Sequence, residues 1–132
     1  MTLPRLQTPL AARIAGGWVC ALSVYIPPDE VPQRQKIIDT AALGAGRHPS
    51  EIRRLYNVVG SIGPRRGGQG LNGPVEVWVE TLSQWATDLG FDTFIFWPAD
   101  SSEQQVRLFA EAVVPRVLED VNSIRTTTAG TF

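Results

Sequence analysis

The chain has 132 residues, 43% of them apolar, and carries 12 basic against 13 acidic side chains. Charges that nearly cancel argue against a nucleic-acid or anionic-membrane surface as the main partner. The single Cys20 can make neither an internal bridge nor a metal cluster. A chain of this size buries roughly two-thirds of its unfolded surface, so a core can form without either.

No apolar run approaches the roughly 18 residues of a membrane span. The opening Met1-Thr2-Leu3-Pro4-Arg5 lacks the apolar segment of a secretory signal. The expectation is a cytoplasmic protein with no membrane partner.

In chain order, Pro9 to Ala15 reads as a short amphipathic helix without a strand of its own, as if the chain starts in the middle of a repeating unit. A strand follows from about Gly17 to Tyr25. Pro27-Pro28-Asp29-Glu30 then opens a helix, with a rigid entry and two acids where the first turn's free N–H groups point, and Gly44-Ala45-Gly46 ends it. The second strand runs from about Arg54 to Ile62. Gly63 to Gly73 is glycine-rich and almost free of apolar residues, so it reads as a solvated loop.

Gly73-Pro74 opens a second helix, whose Val75, Trp78, Val79, Leu82, Trp85, Ala86 and Leu89 make one apolar face closed by Gly90. A third strand runs from about Phe91 to Trp97. Ser101 with Gln104 suits a capping box for a third helix carrying Val106, Leu108, Phe109, Val113, Val117 and Leu118. Pro115 should kink or divide that helix. Residues 1–122 are expected to form the domain and 123–132 a Thr-rich disordered tail.

The strands begin about 37 residues apart, each followed by a helix. That order implies parallel strands joined by helical crossovers. None of the strands alternates cleanly between apolar and polar, which suits strands covered on both faces.

Specific strings then become recognisable. Ala12-Arg13-Ile14-Ala15-Gly16-Gly17-Trp18-Val19, Tyr25-Ile26-Pro27-Pro28-Asp29-Glu30 and Gly46-Arg47-His48-Pro49-Ser50-Glu51-Ile52-Arg53-Arg54 resemble consecutive landmarks of the luciferase-like oxidoreductases. So do Gly73-Pro74, Trp78-Val79-Glu80 and Leu89-Gly90-Phe91-Asp92-Thr93-Phe94-Ile95-Phe96-Trp97, so that the resemblance covers about Pro9 to Val121.

The resemblance implies an α/β fold, the C-terminal part of a TIM (β/α)₈ barrel with about three parallel strand-helix units. It also implies chemistry carried by FMN or the deazaflavin coenzyme, bound at the C-terminal ends of the strands. The chain departs from the family at Gly16, where an Asp is usual, and at Ala21, where a Ser or Thr is frequent.

Four residues are candidates for cofactor binding. The resemblance puts Ser23 and Tyr25 beside a cofactor's phosphate tail; the alternative is that they are half-exposed strand-end residues. Asn57 is a polar residue inside the apolar stretch Leu55 to Val59, so its amide either faces a barrel lumen and a flavin or bonds backbone. Trp97 ends the third strand, where an indole stacks on an isoalloxazine or closes a core.

His48 is the one histidine, and Pro49-Ser50-Glu51 after it make a turn and short cap the stronger reading. With no second histidine and no suitable cysteine, no catalytic triad and no metal site can be assembled. The expected function is a truncated luciferase-like, flavin- or deazaflavin-dependent oxidoreductase of the monooxygenase family. The alternative is a non-catalytic flavin-binding or assembly module, a half-barrel whose open edges pair with a second copy in a homodimer or with a complementing barrel half.

Overall fold

The computed structural model describes residues 16–23, 25–100 and 102–129. The helix expected at Pro9 to Ala15 lies outside them. The described chain alternates strand and helix: β1 (Gly17–Leu22), α1 (Val31–Gly44), β2 (Arg53–Ile62), β3 (Leu71–Gly73), α2 (Val75–Asp88), β4 (Thr93–Pro98), α3 (Glu103–Leu108) and α4 (Val114–Ala129).

β2 is the strand to which the others attach. β1 runs parallel to it with Gly17 opposite Arg53 and Cys20 opposite Tyr56, and Leu22 then stands opposite Asn57. The extra residue in β1 is a bulge, which bends the strand and breaks the ladder locally. β3 pairs in parallel with the other end of β2, Gly60 opposite Leu71. β4 also pairs with β2, and the N–H groups of Asp92 and Ala99 donate to the carbonyls of Arg54 (3.0 Å) and Gly60 (2.8 Å), both advancing in one chain direction. Parallel strands with helical crossovers are the architecture of a partial (β/α) barrel, as expected.

β2 departs from the expectation of a strand covered on both faces. Arg54, Tyr56, Val58, Gly60 and Ile62 are buried, whereas Leu55, Asn57, Val59 and Ser61 are half-buried. One face carries the packing and the other is partly open, which restores the period-2 alternation of a one-sided strand.

Internal contacts divide the chain into two compact units: one holds the described residues up to Asn57 with Phe91–Ile95, the other Val58–Gly90 with the residues from Phe96 onwards. In the first unit the core is Trp18, Cys20, Val31, Ile38, Ala42, Ile52, Tyr56 and Phe91. Tyr56 stacks on Phe91 with ring centres 4.4 Å apart. α1 ends as its glycine predicts: Gly46 takes φ 77°, its N–H donates to Leu43, and the Arg47 N–H donates to Ala42 at 2.8 Å. This Schellman arrangement satisfies carbonyls that the helix leaves unpaired.

Arg54 is the polar centre of that unit. It sits on the buried face of β2, and its guanidinium donates to Gln35 and Asp39 of α1 and to the carbonyls of Ile52 and Pro49. A buried cation is tolerated where its N–H groups are filled in this way. The Asp92 carboxylate caps the Arg54 N–H at 2.8 Å, which joins the entry of β4 to the start of β2.

The second unit is aromatic. α2 buries Trp78, Val79, Leu82 and Ala86 on the expected face. Trp78 meets Phe96 edge-on at 5.1 Å, and Phe96 stacks on Phe109 at 4.7 Å. The Trp78 indole N–H donates to the Ser61 carbonyl at 3.0 Å, so the ring is both packed and satisfied.

The glycine-rich loop is more organised than its composition suggests. The Asn72 side-chain oxygen accepts from the N–H and hydroxyl of Ser61, while its amide donates to the carbonyls of Gly67 and Gln69. Two glycines are obligatory: a Cβ on Gly60 would lie 1.8 Å from the Leu71 carbonyl oxygen, and one on Gly70, at φ 84°, would lie 2.5 Å from that of Val59. No side chain fits between backbones that close.

The third helix starts one residue later than the spacing predicts. Ser102 is the N-cap, accepting from the Gln105 N–H at 3.1 Å, and the expected Ser101 lies outside the described residues. Gln105 does not serve the cap through its side chain; its amide pairs with both the N–H and the carbonyl of Ile62, as a neighbouring strand would. Pro115 leaves the helical run unbroken, because a π-helical turn over Phe109–Val113 precedes it. Such a turn shifts the hydrogen-bond ladder where a proline has no N–H to give.

Of the apolar residues on this helical run, Val113 and Val117 are buried, whereas Val106 and Leu118 are 54% and 60% exposed. Of the tail 123–132, the residues up to Ala129 continue α4 as helix, and 130–132 lie outside the described residues.

Candidate functional site

Ser23 and Asn57 are brought together where β1 ends. The Ser23 N–H donates to the Asn57 carbonyl at 2.9 Å, and the Asn57 side-chain amide donates to the Cys20 carbonyl at 2.7 Å. Asn57 therefore bridges the bulge of β1: its side chain holds the carbonyl before the extra residue, and its main chain holds the N–H after it. An Asn inside an apolar strand is explained locally by that bulge, because a bulge leaves a carbonyl without a ladder partner.

Ser23 is 8% exposed, and its hydroxyl is buried without a hydrogen-bond partner among the described residues. A buried hydroxyl normally finds one, so an unmatched one at a strand's C-terminal end is a group with unused bonding capacity. Tyr25 is 73% exposed, two residues beyond. Trp97 belongs to the second unit and is 52% exposed on β4. Ser23 and Asn57 thus share one local arrangement, whereas Tyr25 and Trp97 are surface aromatics, each described within its own unit.

Tyr56 lies one residue before Asn57 on the opposite, buried face and donates its hydroxyl to the Ile26 carbonyl. That bond ties the segment beyond Ser23 to β2. Burial pushes the phenol well above its ordinary range, with smaller contributions from Cys20, Asp29 and Glu30, so the hydroxyl stays a donor.

His48 takes the capping role expected of it. Its Nδ1 accepts from the Ser50 N–H at 3.1 Å, and its own N–H donates to Glu51 at 2.7 Å. Among the described residues, no group of three or more His, Cys, Asp or Glu side chains could hold a metal ion, and no helix is long and apolar enough to cross a membrane.

Sequence reasoning missed the Arg54 cluster, the Gln105 clamp and the partnerless hydroxyl of Ser23. The first had a signal: Arg54 shares the parity of Tyr56, Val58 and Ile62 along β2, and a charge at a buried parity requires partners. The other two depend on where distant chain segments meet.

No family model matches the sequence, and no curated protein matches it. Among solved structures, the chain is similar to a riboflavin lyase (RcaE) solved with modified FMN and its substrate riboflavin, at TM-score 0.67 and 11% identity over 85% of this chain and 40% of that one. It is also similar to a long-chain alkane monooxygenase (LadA), at TM-score 0.61 and 13% identity over 85% of this chain and 38% of that one. The chain spans about two-fifths of each neighbour's length. At these identities the likeness establishes the fold, an α/β arrangement matching part of a barrel.

Proposed function

We propose that this chain is the C-terminal part of a luciferase-like, flavin- or deazaflavin-dependent oxidoreductase and that the end of β1 takes the polar tail of the cofactor. The observation that carries this reading is the buried hydroxyl of Ser23, without a partner among the described residues, on a residue whose N–H Asn57 holds at the strand end where parallel barrels place their ligands. The fit is chemical: a hydroxyl with a free proton and free lone pairs suits a phosphate or ribityl oxygen. Support comes from the solved neighbour that holds modified FMN.

In this reading Ser23 donates to the cofactor tail, Asn57 fixes Ser23, and Tyr25 covers the tail from solvent. Trp97 offers an indole face for stacking in its own right. The bound flavin or deazaflavin would supply the redox step, and the protein binding and orientation.

The test is titration of the purified chain with FMN and with the deazaflavin coenzyme, followed by cofactor fluorescence. Saturable quenching is expected, weakened about tenfold in Ser23→Ala, the equivalent of one hydrogen bond to a charged group. Absence of quenching by either cofactor would overturn the reading.

A second reading is favoured by the half-open face of β2 and by Val19, which is 54% exposed on β1. In it the chain is a non-catalytic half-barrel that pairs with a second copy through this face. It predicts a concentration-dependent dimer mass in solution without cofactor-dependent turnover.

A further inference from the structure

Tyr56 is fully buried on β2, and its ring stacks on Phe91 at 4.4 Å with the planes 13° apart. Packing of that kind fixes where the phenol oxygen lies, and the hydroxyl donates to the Ile26 carbonyl. The next residue of β2, Asn57, accepts the Ser23 N–H through its own carbonyl at 2.9 Å. Two adjacent positions of one strand therefore hold both ends of the connection 23–26, one from the buried face and one from the strand edge.

The chain is also stiff beyond the far anchor. Pro27 and Pro28 follow Ile26, and a residue before proline is confined to extended backbone. The Glu30 N–H then donates to the Pro27 carbonyl at 2.9 Å, which closes a short turn over Pro28–Glu30. Between the two anchors Tyr25 is left 73% exposed. A tyrosine side chain has few torsions, so on a fixed backbone it loses little conformational entropy when a ligand meets it.

We infer that Tyr56 is a positioning residue for the cofactor site: through the Ile26 carbonyl it holds Tyr25 where the Tyr25 phenol donates to the phosphate-bearing tail of the cofactor. The inference rests on the reading of the end of β1 as the cofactor site. Tyr56 touches no ligand, because it is fully buried and its hydroxyl is engaged by Ile26. Its effect on binding passes through Tyr25, whose hydroxyl gives a charge-assisted hydrogen bond to a phosphate oxygen.

The experiment uses the full chain near neutral pH and has two readouts. In amide relaxation of the free protein, Tyr25 and Ile26 should be as rigid as β2 in the native chain and mobile on the nanosecond scale in Tyr56→Phe, which keeps the ring and removes only the donor. In titrations with FMN and with the deazaflavin coenzyme, followed by cofactor fluorescence, Tyr56→Phe should weaken binding about fivefold and Tyr25→Ala, at an exposed position, about tenfold. The double variant should bind no more weakly than Tyr25→Ala, because the Tyr56 hydroxyl has no route to the ligand once the Tyr25 phenol is gone. Rigid amides in Tyr56→Phe, native affinity in that variant, or additive losses in the double variant would overturn the proposal while leaving the cofactor reading in place. A native chain that binds neither cofactor would overturn both.

Discussion

Along β2, residues Arg53–Asn57 are anchored by polar side chains that reach main-chain atoms: Arg54 to Ile52 and Pro49, Asp92 to Arg54, and Asn57 to Cys20. Residues Val58–Ile62 carry such bonds as well, from Asn72 and Trp78 to Ser61 and from Gln105 to Ile62, and their unit adds the Trp78, Phe96 and Phe109 ring cluster and the close approach of Gly60 to Leu71. The candidate cofactor site lies in the first, polar half, whose centre is the buried Arg54; the second, aromatic half adds a cluster of three rings to its directional bonds. Directional bonds set geometry, and apolar area contributes most of the stability.

The largest expected effect is in the aromatic half. Trp78→Ala should cost about 3–5 kcal/mol in chemical denaturation, because a fully buried indole leaves a cavity that its neighbours fill poorly. In the polar half, Arg54→Met keeps much of the volume and removes the guanidinium. We expect a loss of about 2–3 kcal/mol there, since buried Gln35 loses a charged donor while half-exposed Asp39 rehydrates. A cost for Arg54→Met as large as that of Trp78→Ala would break the contrast.

Asn57→Ala should cost only about 1 kcal/mol globally. Its sharper signature is local: amide exchange should accelerate at Ser23 and the neighbouring β1 residues while β3 is unaffected. Uniform acceleration would deny Asn57 its role at the bulge.

The smallest effect concerns alkaline pH. A phenol whose folded pKa is raised contributes stability that is complete below its unfolded value of about 10 and is lost as pH rises above it. Denaturation midpoints should therefore fall above that pH in the native chain. In Tyr56→Phe the decline should be shallower, and an identical decline would remove Tyr56 as its cause.

Legibility in the sequence varied with the kind of contact. The strand-helix order, the apolar face of α2, the Gly46 stop and the His48 cap depend on neighbours within about one helical turn, so residue spacing reveals them. The N-cap was displaced by one residue because Ser101 and Ser102 are equally good candidates, and backbone geometry selects between them. The tail beyond Ser123 carries three consecutive threonines, poor helix formers, yet it continues the α4 helix.

Of the candidate site, the sequence named Ser23, Tyr25, Asn57 and Trp97, but it could not join them. By itself it determined an alternating parallel α/β chain, because hydrophobic period and chain punctuation are local properties. Tertiary structure decided that Asn57 bridges a bulge, that Ser23 keeps an unmatched hydroxyl, that Arg54 is buried and satisfied, and that one face of β2 stays partly open. Each of these depends on which atoms meet across long sequence separations, and a hydrogen bond or its absence is decided within a few tenths of an ångström.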